Sequence, residues 1–319
     1  MRSWAALLAA VLVAVGLSAC DDDGAEPGAS QEATLVLDFQ PNAVHAGIYA
    51  ALHRGYFEDE GVDLTIQEPS ASTDAPKLLE AGRADLAIMD INDFGIALER
   101  GLELRAIAAV VQRPLAAVIA GDRDEITRPR DLEGGTVGVT GLPSDDAVLD
   151  AVLEADGADP ASVERVTIGF ESVAALSAGR VDAATAFWNA EGVTLRRLEV
   201  PTREFRIDDY GARPYPELLV VTTAAAAAGS ASAGVHSALE RAYGDLSADP
   251  DAALGDLLAE VPELDPDEQR AQFEALNAAR AFEHHVEIIG LFNWLEFASE
   301  HSVVEPSAVR RDLRESLRD

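Results

Sequence analysis

The chain has 319 residues, with 57 acidic side chains against 24 basic ones, a formal charge of -33 and an apolar fraction of 48%. A body this acidic repels nucleic acid and anionic lipid headgroups, so neither is an expected partner for its surface. A single cysteine excludes an internal disulfide, and the apolar content is sufficient for folded cores without one.

Arg2 and the apolar run Trp4 to Val15 read as a secretory signal, too short for a comfortable membrane span. In Leu17-Ser18-Ala19-Cys20 a small residue precedes the sole cysteine, the pattern of a bacterial lipobox. Cys20 is therefore the expected lipidation site. Residues 1–19 would be the signal peptide, leaving 300 residues outside the cytoplasm, lipid-anchored to the bacterial cell membrane. An ordinary signal peptide ending in a chance cysteine is the alternative. Residues 20–32 are acidic, contain Gly and Pro and lack apolar period, so a disordered tether is expected, with a reach of about 40 Å.

From Thr34 onward, short apolar runs alternate with helical stretches. Strands are predicted at Thr34–Asp38, Val62–Gln67, Asp85–Met89, Thr136–Val139, Arg165–Ile168 and Asp182–Phe187. Helices are predicted between them, and the alternation argues for parallel sheets in an α/β architecture. The phrase Leu79-Glu80-Ala81-Gly82-Arg83-Ala84-Asp85 returns as Leu176-Ser177-Ala178-Gly179-Arg180-Val181-Asp182. In each, a helix stops at a glycine suited to the left-handed region and a strand follows, which suggests two lobes of similar construction. Chance recurrence of a helix-stop phrase is the competing explanation. From Ala224 on, the chain reads as helical, and a tail returning to the first lobe makes that lobe discontinuous. The expected division is 33–115 and 221–319 for lobe I and 116–220 for lobe II, with crossings at Gln112–Gly121 and Tyr215–Thr223.

In open parallel sheets, ligands bind beyond the carboxyl ends of the strands. Those ends carry Asp38, Phe39, Asn42 and His45, then Ser70, then Asp90, and in the second lobe Thr140, Ser144, Trp188, Asn189 and Glu191. The set is rich in carboxylates, amides and aromatics and poor in cations, with Arg113 or Arg213 the nearest expected. A neutral or basic flat heterocycle fits it better than an anion. Phe39 and Trp188 could sandwich the ring, while Asn42, Asn189 and Glu191 address its edge nitrogens. Ser144 reads as an N-cap. Each residue also has a plainer role: Asp38 and Asn42 in turns, Trp188 in the core.

Enzyme signatures are scarce, with no Walker loop, GxGxxG, GxSxG or HExxH, and neither a cofactor nor a metal is expected. His284-His285-Val286-Glu287 could suggest a metal, but adjacent histidines point to different helix faces.

Leu37-Asp38-Phe39-Gln40-Pro41-Asn42-Ala43-Val44-His45-Ala46-Gly47 resembles a known family, as do Arg54-Gly55-Tyr56-Phe57, Gly82-Arg83-Ala84-Asp85 and Trp188-Asn189-Ala190-Glu191-Gly192. It is the thiamine-pyrimidine synthase-like and alkanesulfonate-binding-like family of solute-binding proteins, and the likeness runs from Thr34 to Thr223. The resemblance implies a two-lobed periplasmic-binding-protein fold of type II with its ligand cleft between the lobes. It also implies a small-molecule solute, a partner ABC permease and ATPase, and a monomer. Members with this first motif bind pyrimidine precursors of thiamine, and relatives take riboflavin, sulfonates, taurine or nitrate. Carried over, Asp38, Phe39 and Asn42 face the ring, with Trp188 and Glu191 closing on it. Phe39 stands where the pyrimidine binders usually have tryptophan. The fungal pyrimidine synthase of this superfamily uses a lysine and a histidine where this chain has Met89 and Asp93, and a cysteine-rich motif near residues 213–218 where it has none. The expected function is capture of a heteroaromatic vitamin precursor, without catalysis. The same scaffold serving an oxyanion and an exported enzyme or sensor are the alternatives.

Overall fold

The computed structural model describes residues 30–69, 74–122, 125–283 and 290–316; Cys20, Ser70 and the His284–Glu287 segment lie outside them. Two five-stranded sheets form two lobes. The first lobe begins with β1 (Gln31–Val36), α1 (Ala46–His53), α2 (Tyr56–Asp59), β2 (Val62–Gln67) and α3 (Asp74–Glu80). It continues through β3 (Leu86–Asp90), α4 (Ile91–Glu99) and β4 (Leu104–Val111). The second lobe holds β5 (Ala116–Gly121), β6 (Thr136–Val139), α5 (Pro143–Ala155), β7 (Glu164–Thr167), α6 (Ser172–Ser177), β8 (Ala183–Phe187), α7 (Glu191–Arg197) and β9 (Thr202–Arg206). The chain then returns through β10 (Leu218–Thr223) to a tail of α8 (Ser230–Ala248), α9 (Pro250–Glu260), α10 (Pro266–Ala278), α11 (Leu291–Glu300) and α12 (Pro306–Ser316).

The sheets share one plan. Their orders are β2-β1-β3-β10-β4 and β7-β6-β8-β5-β9. In each, three strands run parallel and a fourth, β10 or β5, runs against both of its neighbours. The sheets are thus mixed, not purely parallel. The repeated phrase is a working part of this plan. Gly82 (φ 61°) and Gly179 (φ 62°) both take the left-handed turn that ends a helix. Three residues on, Asp85 Oδ2 accepts the Thr34 N–H at 2.8 Å, and Asp182 Oδ2 accepts the Thr136 N–H at 2.8 Å. Each aspartate also donates its own N–H to the carbonyl of the same threonine, so it extends the ladder where its strand has not yet begun.

Three boundaries differ from the sequence expectation. Gln31 and Glu32, assigned above to the tether, already pair with Val62 and Asp63 in β1. The crossings are shorter than 112–121 and 215–223, because Ala116–Gly121 and Leu218–Thr223 are the antiparallel strands themselves. Residues 218–220 therefore belong to the sheet of the first lobe. Both strands are continuous apolar runs buried on both faces, so no alternation announces them.

The tail packs largely on the first lobe: α8 and α9 against α1, and α12 against β4 and α4. Asp249 and Asp265 start α9 and α10 by accepting backbone N–H groups, each followed by a proline at the first helical position. On α10, Glu268 reaches across to Thr194 of α7, giving the tail a contact with the second lobe. On α11, Trp294 is fully buried and donates its indole N–H to Asn92 Oδ1 at 2.7 Å. Its ring lies over Gly95 of α4, where a Cβ would stand 2.1 Å from Cη2.

Gly95→Ala should therefore lower stability. Overpacking costs about 1–3 kcal/mol, while the gain in helix propensity offsets about 1 kcal/mol. Urea unfolding checks this: a midpoint at or above that of the wild type would mean that Trp294 is not seated on α4.

Candidate functional site: a cavity between the lobes

The strand-end loops of both lobes enclose a cavity of about 550 Å³. From the first lobe it is walled by the loop after β1 (Asp38, Phe39, Asn42), the end of β3 (Met89, Asp90) and the first turn of α4 (Asp93). From the second come the β6–α5 loop (Thr140, Ser144, Asp145), the β7–α6 loop (Phe170, Ser172) and the loop after β8 (Phe187, Asn189, Glu191).

The β1 loop is shaped by its own polar groups. Asn42 caps a single 3₁₀ turn, its Oδ1 accepting the Val44 N–H at 2.9 Å and its Nδ2 donating to the Gln40 carbonyl at 3.0 Å. Its amide is thus largely committed to the loop. His45 is fully buried behind this wall. Its Nδ1 accepts the Asn42 N–H, so Nε2 carries the hydrogen and donates to Asp38 Oδ1 at 2.9 Å. His45 is a strut for Asp38 and forms no part of the cavity lining.

The aromatic walls differ from the expected pair. Phe39 meets Phe170 of the opposite lobe edge to face, with ring centroids 4.7 Å apart at 84°. Trp188 does not line the cavity. It is 2% exposed, donates its indole N–H to the Pro114 carbonyl at 3.0 Å, and carries the Arg206 guanidinium 4.3 Å above its ring. Its backbone N–H donates to Leu115, so the tryptophan anchors the outward crossing. Phe187, one residue earlier, takes its place at the wall. Phe170 follows β7 at a strand end, and its partner Phe39 comes from the other lobe, so the pairing has no local signature in the sequence.

Asn189 is 1% exposed and its Oδ1 has no hydrogen-bond partner among the described residues, an acceptor buried at the wall of a cavity. Such a group costs free energy unless a donor reaches it. Glu191, at the start of α7, accepts the Phe187 N–H at 3.0 Å. Asp145 turns back to accept both the N–H and the hydroxyl of Thr140. Ser144 is not an N-cap: Leu142 holds that position and Pro143 the next, and Ser144 instead faces Asp93 of the other lobe, where it eases the burial of that carboxyl.

Burial pushes Asp90, Asp93, Asp145 and Glu191 above the ordinary carboxylate range, Asp145 to about 6. Their mutual charges add to the effect: Asp90 raises Asp93 and Asp145, and Asp145 raises Glu191. Protonated carboxyls can donate as well as accept, and with an amide beside them they match a heterocycle bearing an amino group and ring nitrogens. The expected arginines are elsewhere, Arg113 paired with Asp208 and Arg213 with Glu296. The cations at the cavity are Lys77 and Arg100, both solvent-exposed. Among the described residues, no cluster of His, Cys, Asp and Glu is arranged to hold a metal ion.

Comparison with known proteins accords with this geometry. The chain belongs to the NMT1/THI5-like family, whose model matches residues 42–253. It is 31% identical over 276 residues to a formylaminopyrimidine-binding protein of Halalkalibacterium halodurans, covering 85% of this chain and 84% of that one. It is 27% identical over 175 residues to the 4-amino-5-hydroxymethyl-2-methylpyrimidine phosphate synthase of Legionella pneumophila, covering 55% of each. Among solved structures, the alkanesulfonate-binding protein of Xanthomonas axonopodis pv. citri superposes with a TM-score of 0.65 at 17% identity, over 88% of this chain and 96% of that one. The architecture is the two-lobed periplasmic-binding-protein fold, and family and fold fit a periplasmic solute-binding protein.

Trp188→Ala should cost about 3–5 kcal/mol of stability, as for other buried large-to-small changes. Phe170, being 38% exposed, should cost less than about 1 kcal/mol on the same change. Chemical denaturation of the two variants measures the contrast; equal losses would contradict the division into anchor and wall.

Proposed function

We propose that this chain is the solute-capturing lipoprotein of an ABC importer and that its ligand is a small aminopyrimidine precursor of thiamine. The observation that carries this reading is the cavity wall itself: an aromatic pair from opposite lobes beside an unpartnered Asn189 acceptor and a buried, protonatable Glu191. A flat ring that docks on this perpendicular pair stacks on the face of one phenylalanine and meets the edge of the other, Asn189 Oδ1 accepts from its amino group, and Glu191 addresses a ring nitrogen. The 31% identity to the formylaminopyrimidine-binding protein, spread over most of both chains, supports the same ligand class.

Two other readings are weaker. A sulfonate or nitrate would sit among Asp38, Asp90, Asp145 and Glu191 with the cations only at the rim, and burying it there would cost several kcal/mol. Synthase chemistry of the fungal kind needs an amine to form a Schiff base, and Met89 stands at the position resembling that lysine. Cys20 after Ala19 supplies the acceptor for a lipid anchor that would hold the protein outside the cytoplasm.

Isothermal calorimetry with formylaminopyrimidine, riboflavin, an alkanesulfonate and nitrate tests the ligand class, the first being expected to bind most tightly. Tight binding of the sulfonate alone would overturn it. Asn189→Leu should weaken pyrimidine binding by about 1–3 kcal/mol while leaving stability equal or higher, since an unpaired buried acceptor is removed. Palmitate labelling of cells should mark the wild type and fail with Cys20→Ser; labelling retained in the variant would remove the anchor.

A further inference from the structure

Behind the cavity floor, the two crossings meet at one side chain. Glu217 is fully buried in the return crossing, immediately before β10. Its N–H donates to the Val111 carbonyl at 3.0 Å, and its carbonyl accepts the Ile91 N–H at 2.9 Å. Its carboxyl Oε2 accepts the Leu115 N–H at 2.6 Å. One residue thus holds the end of β4, the start of α4 and the end of the outward crossing.

Among the described residues, the second carboxyl oxygen, Oε1, receives no hydrogen bond from any amide, hydroxyl or guanidinium group. Asp90, the residue that ends β3, lines the cavity and accepts the Asn92 N–H at 2.6 Å, is the neighbour of Glu217 across the sheet: Asp90 stands opposite Leu218, Ile91 donates to the Glu217 carbonyl, and the two carboxyls interact. Two ionised carboxylates in contact out of water repel strongly, whereas one proton between them satisfies both. We propose that Glu217 is a positioning residue: it holds that proton, donates it to Asp90, and so fixes the cavity-side acceptor of Asp90 to the geometry of both crossings. The proposal rests on the cavity being the ligand site.

The surroundings favour a proton here. Tyr215, on the same crossing, has a buried hydroxyl without a partner among the described residues, and burial keeps it neutral, so it brings no cation to offset a carboxylate. Asp208, from the turn after β9, is already paired with Arg113 of the outward crossing at 2.8 Å. Asp93 on α4 and Asp145 on α5 add further acid near Asp90. The Glu217 carboxyl is accordingly held well above its ordinary range by burial first and by the Asp90 charge second. A carboxyl with a raised value keeps its proton in the folded state after the unfolded chain has lost it. Stability and positioning are therefore retained at acid pH and decline as pH rises through the raised value.

In Glu217→Gln the amide N–H₂ donates to Asp90 and the carbonyl accepts from Leu115 at every pH. The test is formylaminopyrimidine affinity by calorimetry, with melting temperature alongside, from about pH 5 to pH 9 for wild type, Glu217→Gln and Glu217→Leu. Wild-type affinity should fall about tenfold toward alkaline pH relative to Glu217→Gln, in which that loss is absent. A titration belonging to the ligand is common to both proteins and cancels in the comparison. Glu217→Leu should bind about tenfold more weakly than Glu217→Gln throughout. The melting temperature of Glu217→Gln should decline less with pH than that of the wild type. Parallel pH profiles of wild type and Glu217→Gln, in affinity and in melting temperature, would overturn the proposal. If formylaminopyrimidine binds none of the proteins, the ligand reading fails, and the melting profiles alone still decide whether the shared proton exists.

Discussion

Two strands that run against their neighbours determine the shape of this molecule. β5 and β10 each emerge directly from a crossing and enter the middle of a sheet, pairing on both sides. Each lobe therefore contains a strand delivered by the other. Because they are antiparallel, the three parallel strands of each sheet end facing the crossings, and their loops face each other across one cavity. The site is thus a result of topology before it is a result of side chains.

That geometry removes carboxyl groups from water. Asp90 and Glu191 sit at the ends of β3 and β8 because a helix start needs an acceptor or tolerates an acid there, and Asp145 because it folds back onto Thr140. Each is reasonable locally. Enclosed together they repel, and the energy is lowered by protonation or by a ligand that donates hydrogen bonds. A polar interior assembled this way discriminates by unsatisfied groups, which reject a poorly matched molecule more sharply than apolar contact does.

Much of this was legible from residues alone where a local rule decides the outcome. Asp38, Phe39, Asn42, Asp90, Thr140, Ser144, Asn189 and Glu191 line the cavity because the strand-end rule needs only the strands to be found. The helix stops at Gly82 and Gly179 were legible for the same reason. What failed depended on distant partners. Nothing near Trp188 tells that Pro114 and Leu115 will close over it, and the phrase Asp38 to His45 does not reveal that the histidine turns inward. Ala116–Gly121 and Leu218–Thr223 read as connections in the sequence because a doubly buried strand has no alternating pattern. Ser144 lost its expected cap to the proline beside it, which suits the first helical position better.

The chain uses arginine almost everywhere a cation is needed, and its one lysine, Lys77, stands exposed at the lip of the cavity. An amine-directed reagent thus finds a single lysine side chain in the whole sequence, at the edge of the cavity between the lobes. A fluorophore coupled there would ride on the first lobe and view the second across the gap. The sequence has left one address on its surface for chemistry to read the state of the cleft.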